Sequence, residues 1–173
     1  MLPIPRHLRN ILIVSEDDYD ENNLQGKIQC TCGCRNIKLK IYAEEHSTHI
    51  SVDEYKGDYG LRIAGLCPAC NKEFDIFDMA KHGYDGFVCH DGKSVEDIDL
   101  KNYYCSDCKN STFEVEVGIE LEDQDQFNEE VVNEEPDKFK TEDYVDAFDW
   151  ITISLKCSEC SKIIRDWVNF ETA

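Results

Sequence analysis

Ten cysteines, at 30, 32, 34, 67, 70, 89, 105, 108, 157 and 160, constrain this chain more than any other feature of its 173 residues. Three pairs have two residues between them: Cys67-Pro68-Ala69-Cys70, Cys105-Ser106-Asp107-Cys108 and Cys157-Ser158-Glu159-Cys160. A fourth cluster, Cys30-Thr31-Cys32-Gly33-Cys34, is spaced differently. A tight turn between paired cysteines points both sulfurs at one ion, and two such knuckles from separate hairpins complete a tetrahedron. The longest early apolar run, Ile11-Leu12-Ile13-Val14, is far below the roughly 18 residues of a membrane span. It is also too short for a signal-peptide core, and Pro3 and Pro5 precede it. The expectation is therefore a cytoplasmic chain with reduced thiols, in which the cysteines read as metal ligands before disulfides.

An internal repeat shows which knuckles belong together. Shifted by 90 residues, Leu61, Ile63, Cys67, Cys70 and Lys72 fall on Ile151, Ile153, Cys157, Cys160 and Lys162. Shifted by 76, Cys32, Ile37, Leu39 and Ile41 fall on Cys108, Phe113, Val115 and Val117. Each unit reads knuckle, alternating strand, insert, alternating strand, knuckle, strand. Ile37-Lys38-Leu39-Lys40-Ile41 and Phe113-Glu114-Val115-Glu116-Val117 alternate strictly, each with one apolar face. The predicted fold is mainly β, with little helix: tandem zinc-ribbon-like units of short antiparallel sheets. The first unit, with the N-terminal segment, spans 1–98; the second spans 99–173 and carries an acidic insert at 120–149.

The repeat assigns Cys30, Cys32, Cys67 and Cys70 to one metal site and Cys105, Cys108, Cys157 and Cys160 to the other. Cys34 aligns with Asn110, not with a knuckle cysteine. The Cys30/Cys32 spacing is one residue tight, and residues i and i+2 of an extended backbone face one side, so both can ligate. A Cys32/Cys34 pairing stays open as the alternative. Units this small bury little apolar surface, and structural zinc contributes roughly 10–16 kcal/mol in small fingers. Two zinc ions are expected, and four thiolates leave no coordination position free for chemistry.

Cys30-x-Cys32-Gly33, Cys67-x-x-Cys70, Phe77-Asp78 and His82-Gly83-Tyr84-Asp85-Gly86-Phe87 together resemble a group of uncharacterised bacterial zinc-ribbon proteins. In that group a C-x-C-G knuckle precedes a C-x-x-C knuckle and an F-D-x3-H-G-aromatic-x-G-F segment. The resemblance covers about residues 28–90 and implies fold, ligands and a bacterial or phage origin; it implies no activity. The second unit is similar to a generic zinc ribbon.

Outside the knuckles, His82 to His90 is the densest segment. Asp78–His82 reads as one helical turn closed by Gly83, with a second turn at Gly86. An enzyme would use His82, Asp85, Cys89 and His90 as a pocket. The bland reading is a structural bridge in which His82 bonds a carbonyl at the turn. Cys34 and Cys89 read as small buried residues, and His46 and His49 as part of a surface hairpin.

Acidic residues number 37 against 18 basic ones, a net charge of −19. That field repels phosphate backbones and anionic membranes and favours basic proteins, although it also serves solubility. A nucleic-acid-binding ribbon would need Lys38, Lys40, Arg62 and Lys72 gathered on one face. The insert holds Glu129, Glu130, Glu134 and Glu135 among many acids, interrupted by Phe127, Val131-Val132, Phe139, Tyr144, Val145 and Phe148. It reads either as a solvated loop or as an acidic patch with apolar anchors. Glu16 to Glu21 add to the same field. The chain has no G-x-S-x-G, P-loop, H-E-x-x-H or dinucleotide fingerprint. The leading expectation is a non-catalytic interaction protein, for example an inhibitor or immunity-type partner of a basic protein such as a nuclease.

Overall fold

The computed structural model describes residues 2–20, 22–42, 50–51, 61–89 and 99–172. It is mainly β. In chain order the strands are β1 (Leu12–Tyr19), β2 (Asn23–Ile28), β3 (Ile37–Tyr42), β4 (Ile50–Ser51), β5 (Arg62–Leu66), β6 (Glu73–Asp78), β7 (Lys101–Asn102), β8 (Thr112–Glu120), β9 (Trp150–Cys157) and β10 (Ile163–Glu171). Among the described residues all ten join one sheet. Every pairing is antiparallel except the short contact of β4 with β10.

The repeat appears as two three-stranded hairpin units, β3-β5-β6 and β8-β9-β10. Alternation in sequence becomes alternation in burial. Along β8, Phe113, Val115, Val117 and Ile119 point into the core while Glu114 and Glu116 point outward. Ile37 and Leu39 of β3, and Ile151, Ile153 and Leu155 of β9, complete the same layer. Burying each such side chain contributes on the order of 1.5–3 kcal/mol. In β10 the alternation breaks at a bulge. Asp166 adopts a positive φ of 46° and its N–H donates to Ser154 Oγ at 3.0 Å. The extra residue turns both Trp167 and Val168 inward.

The two units share strands edge to edge. One side of β8 pairs with β9 along its length. The other side pairs first with β3, at Phe113 and Thr112, then with β2 from Glu116 to Glu120. A β1-β2 hairpin therefore extends the sheet beside the second unit, although it precedes the first in sequence.

The acidic insert is folded. Asp123 caps a short turn at Gln124–Phe127 by accepting from the Asp125 and Gln126 N–H groups. A π-helical turn at Asn128–Val132 and a 3-10 turn at Thr141–Val145 follow. Phe127, Val131, Phe139 and Ala147 form a second small core. Tyr84, Phe87 and Val88 of the His-Gly segment pack against it. The aromatic side chains thus stabilise the insert from within, and the expected outward anchors Phe127, Phe139 and Phe148 are buried. The acids at 123, 125, 129, 130, 134, 135, 137 and 142 are exposed.

Candidate metal centres

Each knuckle is built the same way. In the three C-x-x-C turns the first cysteine's N–H donates five residues ahead: Cys67 to Lys72 O, Cys105 to Asn110 O and Cys157 to Lys162 O. The residue after the second cysteine returns its N–H to the first cysteine's carbonyl and takes positive φ: Asn71 at 59°, Lys109 at 62° and Ser161 at 59°. The C-x-C turn is the same device with one residue fewer. Gly33 holds φ 92° and donates to Cys30 O, while Cys30 N–H reaches Cys34 O, four residues ahead. Glycine supplies that left-handed turn without strain. This places Cys34 at the position of Asn110, as the repeat predicts.

The eight expected ligands come together in two sets, Cys30/Cys32/Cys67/Cys70 and Cys105/Cys108/Cys157/Cys160, with all four sulfurs of each within 4.8 Å of one another. Within the first, Cys30–Cys70 and Cys32–Cys67 are both 3.5 Å apart. Within the second, Cys105–Cys160 is 3.6 Å and Cys108–Cys157 3.5 Å. Four thiolates about 2.3 Å from one ion would lie about 3.8 Å apart, whereas a disulfide needs about 2.05 Å. The donor sets fit a tetrahedral ion and not a disulfide. In each set the first cysteine of a knuckle is buried and the second exposed.

The electrostatics point the same way. Burial pushes the Cys67 thiol up, but N–H groups of Cys70 and Ala69 and the Cys32 and Cys70 side chains bring it down to about 6. Burial likewise opposes Cys157, which N–H groups of Cys160 and Glu159 and the Asn110 amide hold at about 6. The Lys72 N–H favours the Cys70 thiolate, yet the crowded thiols of Cys30, Cys67 and Cys32 push it up to about 12. At Cys160 the Lys162 N–H is similarly outweighed by burial and the neighbouring thiols, again to about 12. Four thiols this close cannot all ionise unaided; a divalent cation removes the conflict. Second-sphere contacts repeat as well. Lys72 Nζ reaches Thr31 Oγ1 at 3.4 Å, and Lys162 Nζ reaches Ser106 Oγ at 2.8 Å, each tying two knuckles. No family model matches the chain, and neither a curated protein nor a solved structure does.

Of the alternative pocket's residues, His82, Asp85 and Cys89 lie within the described part of the chain. His82 Nδ1 accepts from the Asp78 N–H at 2.9 Å instead of bonding a carbonyl, and its ring stacks on His7 with centroids 3.6 Å apart. Burial, then Lys81 and Arg62, pushes His82 down to about 3. Cys89 is exposed beside Asp85, and burial followed by that carboxylate raises its thiol. His90, His46 and His49 lie outside the described residues. The turn closed by Gly83 is present, with φ 76°, but 85–89 form a π-helical turn. Backbone bonds from Gly83 to Asp146 O, Tyr84 to Phe148 O and Asp85 to Thr172 O make this segment a bridge. Sequence reading missed His7, which has no local pattern, and Arg6. Arg6 binds Asp143 and lies 3.2 Å from Asp146, closing the buried acidic end of the insert.

Proposed function

We propose that this is a cytoplasmic, non-catalytic zinc-binding protein whose two zinc ions are structural and whose acidic insert docks a basic protein. An inhibitor or immunity-type role toward such a partner is the concrete version. The observation carrying this reading is the insert itself: a folded platform over its own apolar core, clamped by Arg6, with its acids directed outward. Closed four-thiolate sets leave no coordination position for substrate. Nucleic acid is disfavoured as a partner. Two of the four cations that would have to gather are paired with acids, Lys40 with Glu73 at 2.7 Å and Arg62 with Asp75 at 2.9 Å. No helix among the described residues is long and apolar enough to cross a membrane.

The test is charge reversal of Glu129, Glu130, Glu134 and Glu135 together. Capture from native lysate by the parent chain should yield basic proteins that the variant fails to retain, with zinc content unchanged. Association should weaken as salt rises, screening acting over about 8–10 Å. A variant that retains the same proteins at low salt refutes the docking surface.

A further inference from the structure

A side-chain cluster beside its sulfurs joins the two knuckles of the second centre. Asn110 Nδ2 lies 2.8 Å from Thr112 O, 3.0 Å from Ser158 Oγ and 3.5 Å from Cys157 Sγ. Asn110 Oδ1 accepts from Thr112 Oγ1 at 3.1 Å, and that hydroxyl meets Ser158 Oγ at 2.6 Å. Ser158 also gives its N–H to Thr112 O at 3.1 Å. One end of the cluster follows Cys108 and the other follows Cys157, so it bridges the two halves of the sulfur set. The internal repeat puts Cys34, Asn36 and Pro68 at the corresponding positions of the first centre. All three members of the cluster are replaced there. Proline has neither a hydroxyl nor an N–H, and a thiol is a weak donor beside an amide. Cys34 Sγ donates instead to Asn36 O at 3.3 Å.

We propose that Asn110, Thr112 and Ser158 form a clasp that positions Cys157, making the second centre slow to exchange its ion and the first quick. The inference rests on the metal-binding reading of both centres. Loss of an ion to a chelator replaces each sulfur by a chelator atom. Each freed thiolate takes a proton from water, and no oxidation state changes. The first step requires one cysteine to swing away from the other three. At the second centre that swing breaks the Asn110 contact to Cys157 Sγ, and parting the knuckles breaks the Ser158 bonds to Thr112. Pro68 can supply no such bonds at the first centre. The lysine bridges do not distinguish the two, since Lys72 reaches Thr31 as Lys162 reaches Ser106. The Asn110 N–H also draws electron density from the Cys157 sulfur, so the clasp affects the ion's spectrum as well as its rate of loss. The first centre is thereby the one that yields its zinc to a competing chelator.

The experiment follows zinc transfer from the full chain to a chromogenic chelator, for the parent, Asn110→Ala and the graft Cys34→Asn/Asn36→Thr/Pro68→Ser. All eight ligands remain in every variant. The parent should release its two ions in two phases of equal amplitude. Asn110→Ala should speed the slow phase about tenfold, the lower end of what outer-sphere partners contribute to metal affinity, and leave the fast phase as it was. The graft should slow the fast phase several-fold. In the cobalt-substituted chain, Asn110→Ala should also move the thiolate-to-metal charge-transfer band of one ion to lower energy, with β content unchanged by circular dichroism. A parent that holds no zinc overturns the metal reading and the clasp with it. A parent that holds two ions, with the slow phase unaltered in Asn110→Ala, overturns the clasp alone. Should Asn110→Ala fail to fold, the graft decides, and an unslowed fast phase overturns the proposal.

Discussion

His7 and His82 lie face to face, their rings within 7° of parallel, beside Phe77 and Phe148. His7 Nε2 meets Ile76 O at 3.2 Å, and both imidazoles are driven toward the neutral form chiefly by burial. A lowered folded pKa means that the unfolded chain binds protons first. Stability from these histidines is complete above pH 6.5 and falls as pH drops, by up to about 1.4 kcal/mol per unit for each. Glu122 acts in the opposite sense. Burial, then its bond to Asp149, raises its carboxyl to about 7, so its contribution is present at low pH and lost as pH rises from about 4.5 through 7. The two effects offset each other between pH 4.5 and 6.5. Glu122→Gln should therefore lose stability more steeply than the parent on acidification, measured by urea unfolding at several pH values. Parallel slopes would show that the carboxyl pair carries no such linkage.

At the scale of elements, the strands and knuckles were legible in the sequence because their signals are local. Phe113 to Val117 alternates over consecutive residues, and a C-x-x-C turn is complete within six. The insert was not legible, because its turns are four or five residues long and Phe127, Val131, Phe139 and Ala147 meet without helical or strand period. Their aromatic content signalled packing, but sequence gave no means of telling an internal core from an external anchor. Phe139 touches both Phe127 and Phe87, with ring centroids 6.4 and 5.8 Å away. Phe139→Ala should loosen the insert by about 3–5 kcal/mol, seen as faster amide exchange over 122–148, while zinc content stays constant. Gly83→Ala should detach the bridge: at φ 76° an added Cβ would lie 2.3 Å from Thr172 Cβ. Its effect should appear as lost exchange protection at Tyr84 and Asp85. Unaltered protection there would contradict the bridging role.

Over the whole molecule, the repeat foretold the two hairpin units and the pairing of knuckles, and the four sulfurs of each set meet as the superposition requires. It could not foretell how the units join. The insertion of β2 and β3 side by side along β8 depends on contacts between residues about 75 to 100 apart, for which no local pattern exists. That shared sheet couples the units, so damage to one centre should be felt beyond its own knuckles. Cys157→Ser removes a sulfur of the second set at the end of β9, where Cys157 pairs with Phe113 of β8. Its unfolding should be broad, whereas Cys34→Ser should unfold at a midpoint close to the parent's.

The claim on which the rest depends is that both sulfur sets hold zinc as part of the folded structure. Metal analysis of chain purified without added zinc measures this directly. The account predicts about two zinc ions per chain, with chelation at neutral pH collapsing the β signal in circular dichroism. A cooperatively folded chain with a zinc ratio near zero would contradict it.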